Sequence, residues 1–191
     1  MSLTTATPAP TTGTAALSTW KIDPSHSAAE FKVRHMMISF VKGKFSGLSR
    51  VLELDENDHT HSTVEVSIPA ASVSTVDDKL DAHLKEADFF DVQKFPALTF
   101  KSTSIRSLGD HDHEVTGDLT IRGVTKSVIL SVSDLSQPSK DPWENQRIGL
   151  SASAKINRKD FGFVWNAPLE LCGVLVGDEV AITLDVQFIK S

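Results

Sequence analysis

The sequence predicts an all-β protein, an antiparallel barrel or sandwich with one short α-helix, and three observations lead there. Apolar and polar residues alternate with a period of two over many short stretches. One stretch alone switches to helical spacing, and the connections are short turns containing Asp, Gly and Pro. Roughly eight or nine strands with a single helix fit no α/β or bundle architecture.

The first hairpin lies between Trp20 and Phe45. Ala29, Phe31, Val33 and His35 alternate with Glu30, Lys32 and Arg34, and Val41, Gly43 and Phe45 alternate with Lys42 and Lys44. Each strand therefore has one wet and one buried face, with a histidine on the apolar face and the oily turn Met36-Met37-Ile38 between the strands. Residues 50–54 and 63–68 are two further strands across an acidic turn, and Pro69 ends the second of them. From Ser74 to Phe90, Leu80, His83, Leu84 and Ala87 fall at helical spacing; Thr75 can cap this helix, and Asp77 and Asp78 suit its first turn. Strands resume over 97–102 and 114–121, then around Val128, Leu130 and Val132. Two more follow, over 148–156 and in the strict alternation of Val180, Ile182, Leu184, Val186 and Phe188.

Several blocks carry a resemblance. Trp20-Lys21-Ile22-Asp23-Pro24-Ser25-His26-Ser27 leads into Phe31, Val33, His35-Met36, Val41, Gly43 and Phe45. Asp81-Ala82-His83-Leu84 with Asp88-Phe89-Phe90-Asp91-Val92 follows, then Phe95-Pro96-Ala97-Leu98-Thr99-Phe100, then Gly117-Asp118-Leu119-Thr120-Ile121-Arg122-Gly123-Val124-Thr125. Arg158-Lys159-Asp160-Phe161-Gly162 and Val176-Gly177-Asp178-Glu179-Val180 complete the series. In this order they resemble the YceI-like, polyisoprenoid-binding family over nearly the whole chain. The resemblance implies a lipocalin-like antiparallel β-barrel of about eight strands that carries a long isoprenoid or similar lipid.

Long strands that are apolar on one face only suit such a barrel. Gly43, Gly117, Gly149, Ala152 and Ala154 are read as small inward residues, which either leave room for a guest or let the sheets pack closely at bends. By alternation the ligand lining is Phe31, Val33 and Phe45 from the first hairpin, Val64 and Val66 after it, and Phe100, Leu119 and Leu130 from the middle of the chain. Ile148, Ala152, Leu184 and Val186 complete it, and a register slip of one residue would turn any of these strands inside out.

Polar candidates are few. His26, His35 and His83 either contact a ligand head group or fasten structure as bonded imidazoles. Arg158 either seats an anionic head through its guanidinium fork or pairs with a carboxylate between residues 81 and 91. His59 with His61, and His111 with His113, sit in turns and read as solvated loops, so no metal is expected. No nucleophile elbow, phosphate loop, dinucleotide fingerprint or zinc-protease motif occurs, and Cys172 in an apolar run reads as an inert thiol. No catalytic residue and no cofactor are expected; the bound lipid, polyisoprenoid or fatty, is itself the ligand.

The chain of 191 residues has length for one core, and 40% of it is hydrophobic with no run approaching a membrane span. A net charge of -6, without a basic block, argues against nucleic acid and anionic membrane surfaces as partners. A single cysteine allows no internal disulfide. Residues 1–18, rich in Thr, Ala and Pro, read as a disordered leader before a domain over 19–191, and no signal peptide is visible. A cytoplasmic location is therefore expected, although members of the resembled family are often periplasmic, and a homodimer is left open. Two readings compete with a lipid carrier: a stress-related interaction protein with a filled core, and an enzyme acting on lipid inside the barrel.

Overall fold

One long strand closes the barrel. The computed structural model describes residues 17–109, 111–167 and 175–191. Its strands are β1 (Leu17–Ile22), β2 (Ala28–His35), β3 (Ser39–Phe45), β4 (Val51–Asp55), β5 (Thr63–Pro69), β6 (Ala97–Ser107), β7 (His113–Ile121), β8 (Val124–Ser133), β9 (Ser139–Lys140), β10 (Gln146–Asn157) and β11 (Val176–Lys190), with α1 (Asp78–Lys85) between β5 and β6. Following hydrogen-bonded neighbours gives β11–β1–β4–β5–β6–β7–β8–β10 and back to β11, a ring of eight antiparallel strands. One edge of β11 holds β10 from Glu179 to Ile189. The other is shared: Val176 to Asp185 hold β2, and Phe188 to Lys190 hold β1.

The hairpin β2–β3 and the pair β1–β4 therefore occupy successive storeys of the same wall. Lys44 bridges to Ser74 and Ser49 to Ser67, fastening this wall to the β5 side. The upper end of the barrel carries the β2–β3 tip, α1 and the β7–β8 turn. The lower end carries the β4–β5 and β6–β7 turns.

β1 is absent from the sequence expectation and begins at Leu17, so the last two positions of the expected leader are strand; residues 1–16 lie outside the described residues. Its fixed point is Trp20, fully buried, whose indole N–H donates to Ser18 Oγ at 2.8 Å. Burying a side chain of this size contributes ~1.5–3 kcal/mol. α1 starts later than expected, at Asp78, because Asp77 and not Thr75 caps it by accepting from the N–H groups of Lys79 and Leu80. Thr75 instead donates its backbone N–H and its hydroxyl to Asp81, at 2.6 and 2.7 Å.

The β7–β8 turn has two central residues, Arg122 and Gly123, both with positive φ. Arg122 uses the turn to reach across the upper end, donating to the carbonyls of Ala87 and Gly162. It thereby ties the segment after α1 to the 3-10 turn Arg158–Phe161 that follows β10. β8 and β10 share a ladder only from Ser131 to Ser133, and that 3-10 turn packs against both strands above it.

Candidate functional site

The inward faces enclose apolar space in two chambers. The upper cavity, of about 190 Å³, is bounded by residues of β2, β3, β5–β8, β10 and β11, and by Leu84, Phe89, Phe90, Phe161 and Phe163 from the connections. The lower cavity is about 90 Å³. Val66, Phe100, Leu130 and Leu184 line both and form a waist between them. An apolar void of ~150 Å³ is enough to bind benzene and stay dry otherwise, so this interior exceeds the few water-sized gaps of a filled core.

The four phenylalanines from connections roof the upper chamber. Phe90 meets Phe45 edge-on at 5.3 Å between centroids and Phe163 at 5.1 Å, while Phe89 lies 5.3 Å from Trp165. These aromatics lie outside the alternating strands, which is why sequence periodicity passes over them. Among the described lining residues the polar ones are Glu30, Thr99 and Arg158 above and His59, Ser62 and His113 below.

Arg158 is buried, and its five N–H groups are spent on the chain. Nε donates to Gly177 O, Nη1 to Phe163 O and Trp165 O, and Nη2 to Val176 O and Asp178 Oδ1. Its partner is thus Asp178 with four backbone carbonyls, not a carboxylate between 81 and 91, and no donor remains for an anionic head. Burial pulls the guanidinium below its ordinary value, with Asp178 opposing.

At the lower end the expectation of two solvated His turns is corrected. His113 is only 4% exposed, and its Nε2 lies 3.1 Å from His59 Nδ1. Its other nitrogen, Nδ1, has no hydrogen-bond partner among the described residues. Burial pushes the imidazole below its ordinary value, and His59 beside it adds to the effect. The signal was present in sequence: His113 continues the inward phase of Val115, Gly117, Leu119 and Ile121. His61 and His111 stay exposed.

Of the predicted lining, Phe31, Val33, Phe45, Leu119 and Arg158 border the upper cavity, and Val64, Ala152 and Val186 the lower, besides the four residues of the waist. Ile148 borders neither; it is buried in the core opposite Phe188. His35 also borders neither. It is half-buried at the base of the β2–β3 turn, where its carbonyl accepts from the Ile38 N–H. His26 holds structure: its Nδ1 lies 2.9 Å from Asp23, whose carboxyl Arg147 draws down to about 2. His83 packs edge-on against Phe89 and Trp165. Gly149 falls on the outer face, with Gln187, and provides no room inside. Neither do Gly43 and Gly117, because the rings of Phe31 and Phe100 occupy the space their missing side chains leave. Cys172 lies outside the described residues.

An eight-stranded antiparallel barrel around an apolar lumen is a lipocalin-like architecture. The YceI-like domain matches residues 20–188, and the chain belongs to the YceI-like family. It is 39% identical to the YceI protein of Salmonella newport over 153 residues, 79% of each chain. The crystal structure of the Campylobacter jejuni YceI protein superposes with a TM-score of 0.71 at 30% identity, covering 84% of this chain and 91% of that one. A polyisoprenoid-binding domain from Saccharophagus degradans, implicated in plant cell wall breakdown, shares the fold with a TM-score of 0.61 at 14% identity over 92% and 99% of the two chains. Among the described residues no helix is long and apolar enough to cross a membrane.

Proposed function

We propose that the protein binds an elongated apolar ligand along the barrel axis, a polyisoprenoid such as a quinone tail or prenyl lipid, and carries or sequesters it without chemistry. The observation that carries this reading is the shared waist: two apolar chambers stacked end to end suit a chain, not a compact molecule. Affinity comes from apolar surface removed from water, at ~25 cal/mol per Å². Arg158 offers no N–H to a head group, so recognition rests on the tail. A domain of the same fold known as polyisoprenoid-binding supports the assignment.

Organic extraction of the purified protein followed by mass spectrometry tests it. A stoichiometric long-chain lipid is expected. Protein that comes lipid-free and takes up no added prenyl quinone would return the barrel to the filled-core reading.

A further inference from the structure

We infer that the tip of the β2–β3 hairpin docks on an anionic lipid bilayer, with its apolar side chains entering the interface and its flanking cations meeting the head groups. Met36, Met37, Ile38 and Phe40 are 41%, 54%, 79% and 42% exposed, four large apolar residues within one short stretch. Isolated exposed apolar residues are ordinary; a cluster of them in one turn marks an interaction surface.

The backbone beneath them is built at a cost. Met36 and Met37 both have positive φ, 51° and 61°, in the turn closed by the Ile38 N–H to His35 O bond. Asn and Gly take that conformation readily and methionine does not. The turn thus presents two oily side chains where local stability favours two small polar or bare ones.

Charge complementarity chooses the partner. The hairpin carries Lys32, Arg34, Lys42 and Lys44 against Glu30 alone, in a chain of net charge -6. Whole-chain charge argues against an anionic surface, and the hairpin reverses that locally. On its outer face Lys32 stands directly opposite Lys42 across the ladder, and Arg34 opposite Phe40. Like charges in that relation repel, and a sheet of anionic head groups relieves the repulsion. Lys32 Nζ and the Arg34 guanidinium lie 4.1 and 4.3 Å from the centre of the Phe40 ring, so cations and apolar surface form one patch.

The position is also apt. The upper cavity's lining reaches Val33 on β2 and Val176 on β11, and Val176 pairs with His35, the last residue before the turn. A bilayer at the tip is one register step from that lining. The docking itself stands on the hairpin, whatever the cavity holds.

The test is co-sedimentation of the full chain with vesicles of phosphatidylcholine alone and of phosphatidylcholine with phosphatidylglycerol in equal parts. Association with the anionic vesicles, weakening as salt rises, is expected, with little on the neutral ones. Replacing the tip by Met36→Asn, Met37→Gly and Ile38→Ser should cut partitioning about ten-fold or more. The same variant should fold with equal or higher thermal stability, because Asn-Gly suits the turn. Lys32→Gln with Lys42→Gln should weaken binding about 25-fold, at about five-fold for each cation removed. Wild-type protein that ignores anionic vesicles at low salt overturns the proposal, as does a tip variant that binds like wild type. A tip variant that turns a dimer into a monomer in ultracentrifugation, with vesicle binding unchanged, overturns it in favour of a second copy of the chain.

Discussion

The ring of Phe100 on β6 occupies the space over Gly117 on β7, so that a Cβ on Gly117 would overlap the ring and come 2.5 Å from the Lys101 carbonyl oxygen. Phe100 also belongs to the waist between the two cavities. The glycine therefore decides where the waist's largest side chain can lie. Gly117→Ala should push the ring toward the lumen and cost ~1–3 kcal/mol, since the carbonyl is backbone and cannot give way. Gly149→Ala on the outer wall, where the nearest atom is 3.8 Å away, is the contrast. It should stabilise by ~0.5–1 kcal/mol by limiting the unfolded chain. Thermal midpoints of the two variants, shifted in opposite directions, would check both.

A second prediction concerns the buried imidazole of His113. Its folded value lies below the ordinary 6.5, because burial and His59 disfavour the charged ring. A depressed histidine leaves stability intact above its unfolded value and removes it as pH falls through that value toward the folded one. Stability should therefore decline from about pH 6.5 downward. His113→Leu should flatten this part of the profile and be no less stable at pH 8, since it also removes a nitrogen without a partner. Denaturant midpoints across the pH range read the outcome; equal slopes in both proteins would contradict it.

The alternating strands were legible because burial on one face imposes a period that composition records. Val180, Ile182, Leu184, Val186 and Phe188 fall inside as the pattern requires, and so do Phe31, Val33 and Phe45. β1 was not legible, because only Trp20 and Ile22 mark its phase and its pairing is imposed by β4 and β11. The roof was hidden for another reason: Phe89, Phe90, Phe161 and Phe163 sit in connections, where direction is set by contacts distant in sequence. Gly43 and Gly117 looked like room for a guest, and only cross-strand register shows that a neighbour's ring takes it. Arg158 misled because its partners are mostly backbone carbonyls, which every residue has and no motif announces.

Acid sensitivity should centre on Arg147. It donates to Asp23 at 2.6 Å and to Asp141 at 2.7 Å, clamping the β1–β2 turn and the turn before β10 to one cation. Both carboxyls are drawn down to about 2, with Arg147 the largest cause. A depressed carboxylate contributes stability that is full above its unfolded value and lost as pH falls through the folded one. The loss should fall between the ordinary 3.8 and about 2. Arg147→Met should lower stability at pH 7 and lose most of that acid slope, measurable as the difference in denaturant midpoint between pH 5 and pH 2.5.

Ala152 and Ala154 offer the decisive experiment on the lumen. They share the inward face of β10, two residues and therefore ~6.6 Å apart, yet Ala152 borders the lower cavity and Ala154 the upper. If lipid enters at the upper end, a ring at the two positions has different effects. Ala152→Phe blocks only the lower chamber, so extracted lipid should shift to shorter chains without falling in amount. Ala154→Phe stands in the upper chamber above the waist and should strip most of the lipid. Filling empty space spares the overpacking penalty of ~1–3 kcal/mol that a close-packed core imposes. Both variants should therefore melt near wild type once delipidated. Ala152 packs against Phe100, Val115 and Val132, so Ala152→Leu provides a gentler version of the same block. Unfolding of all three variants would mean the interior is packed. Unchanged chain lengths in folded Ala152→Phe and Ala154→Phe would mean that the lipid, where present, lies outside the barrel.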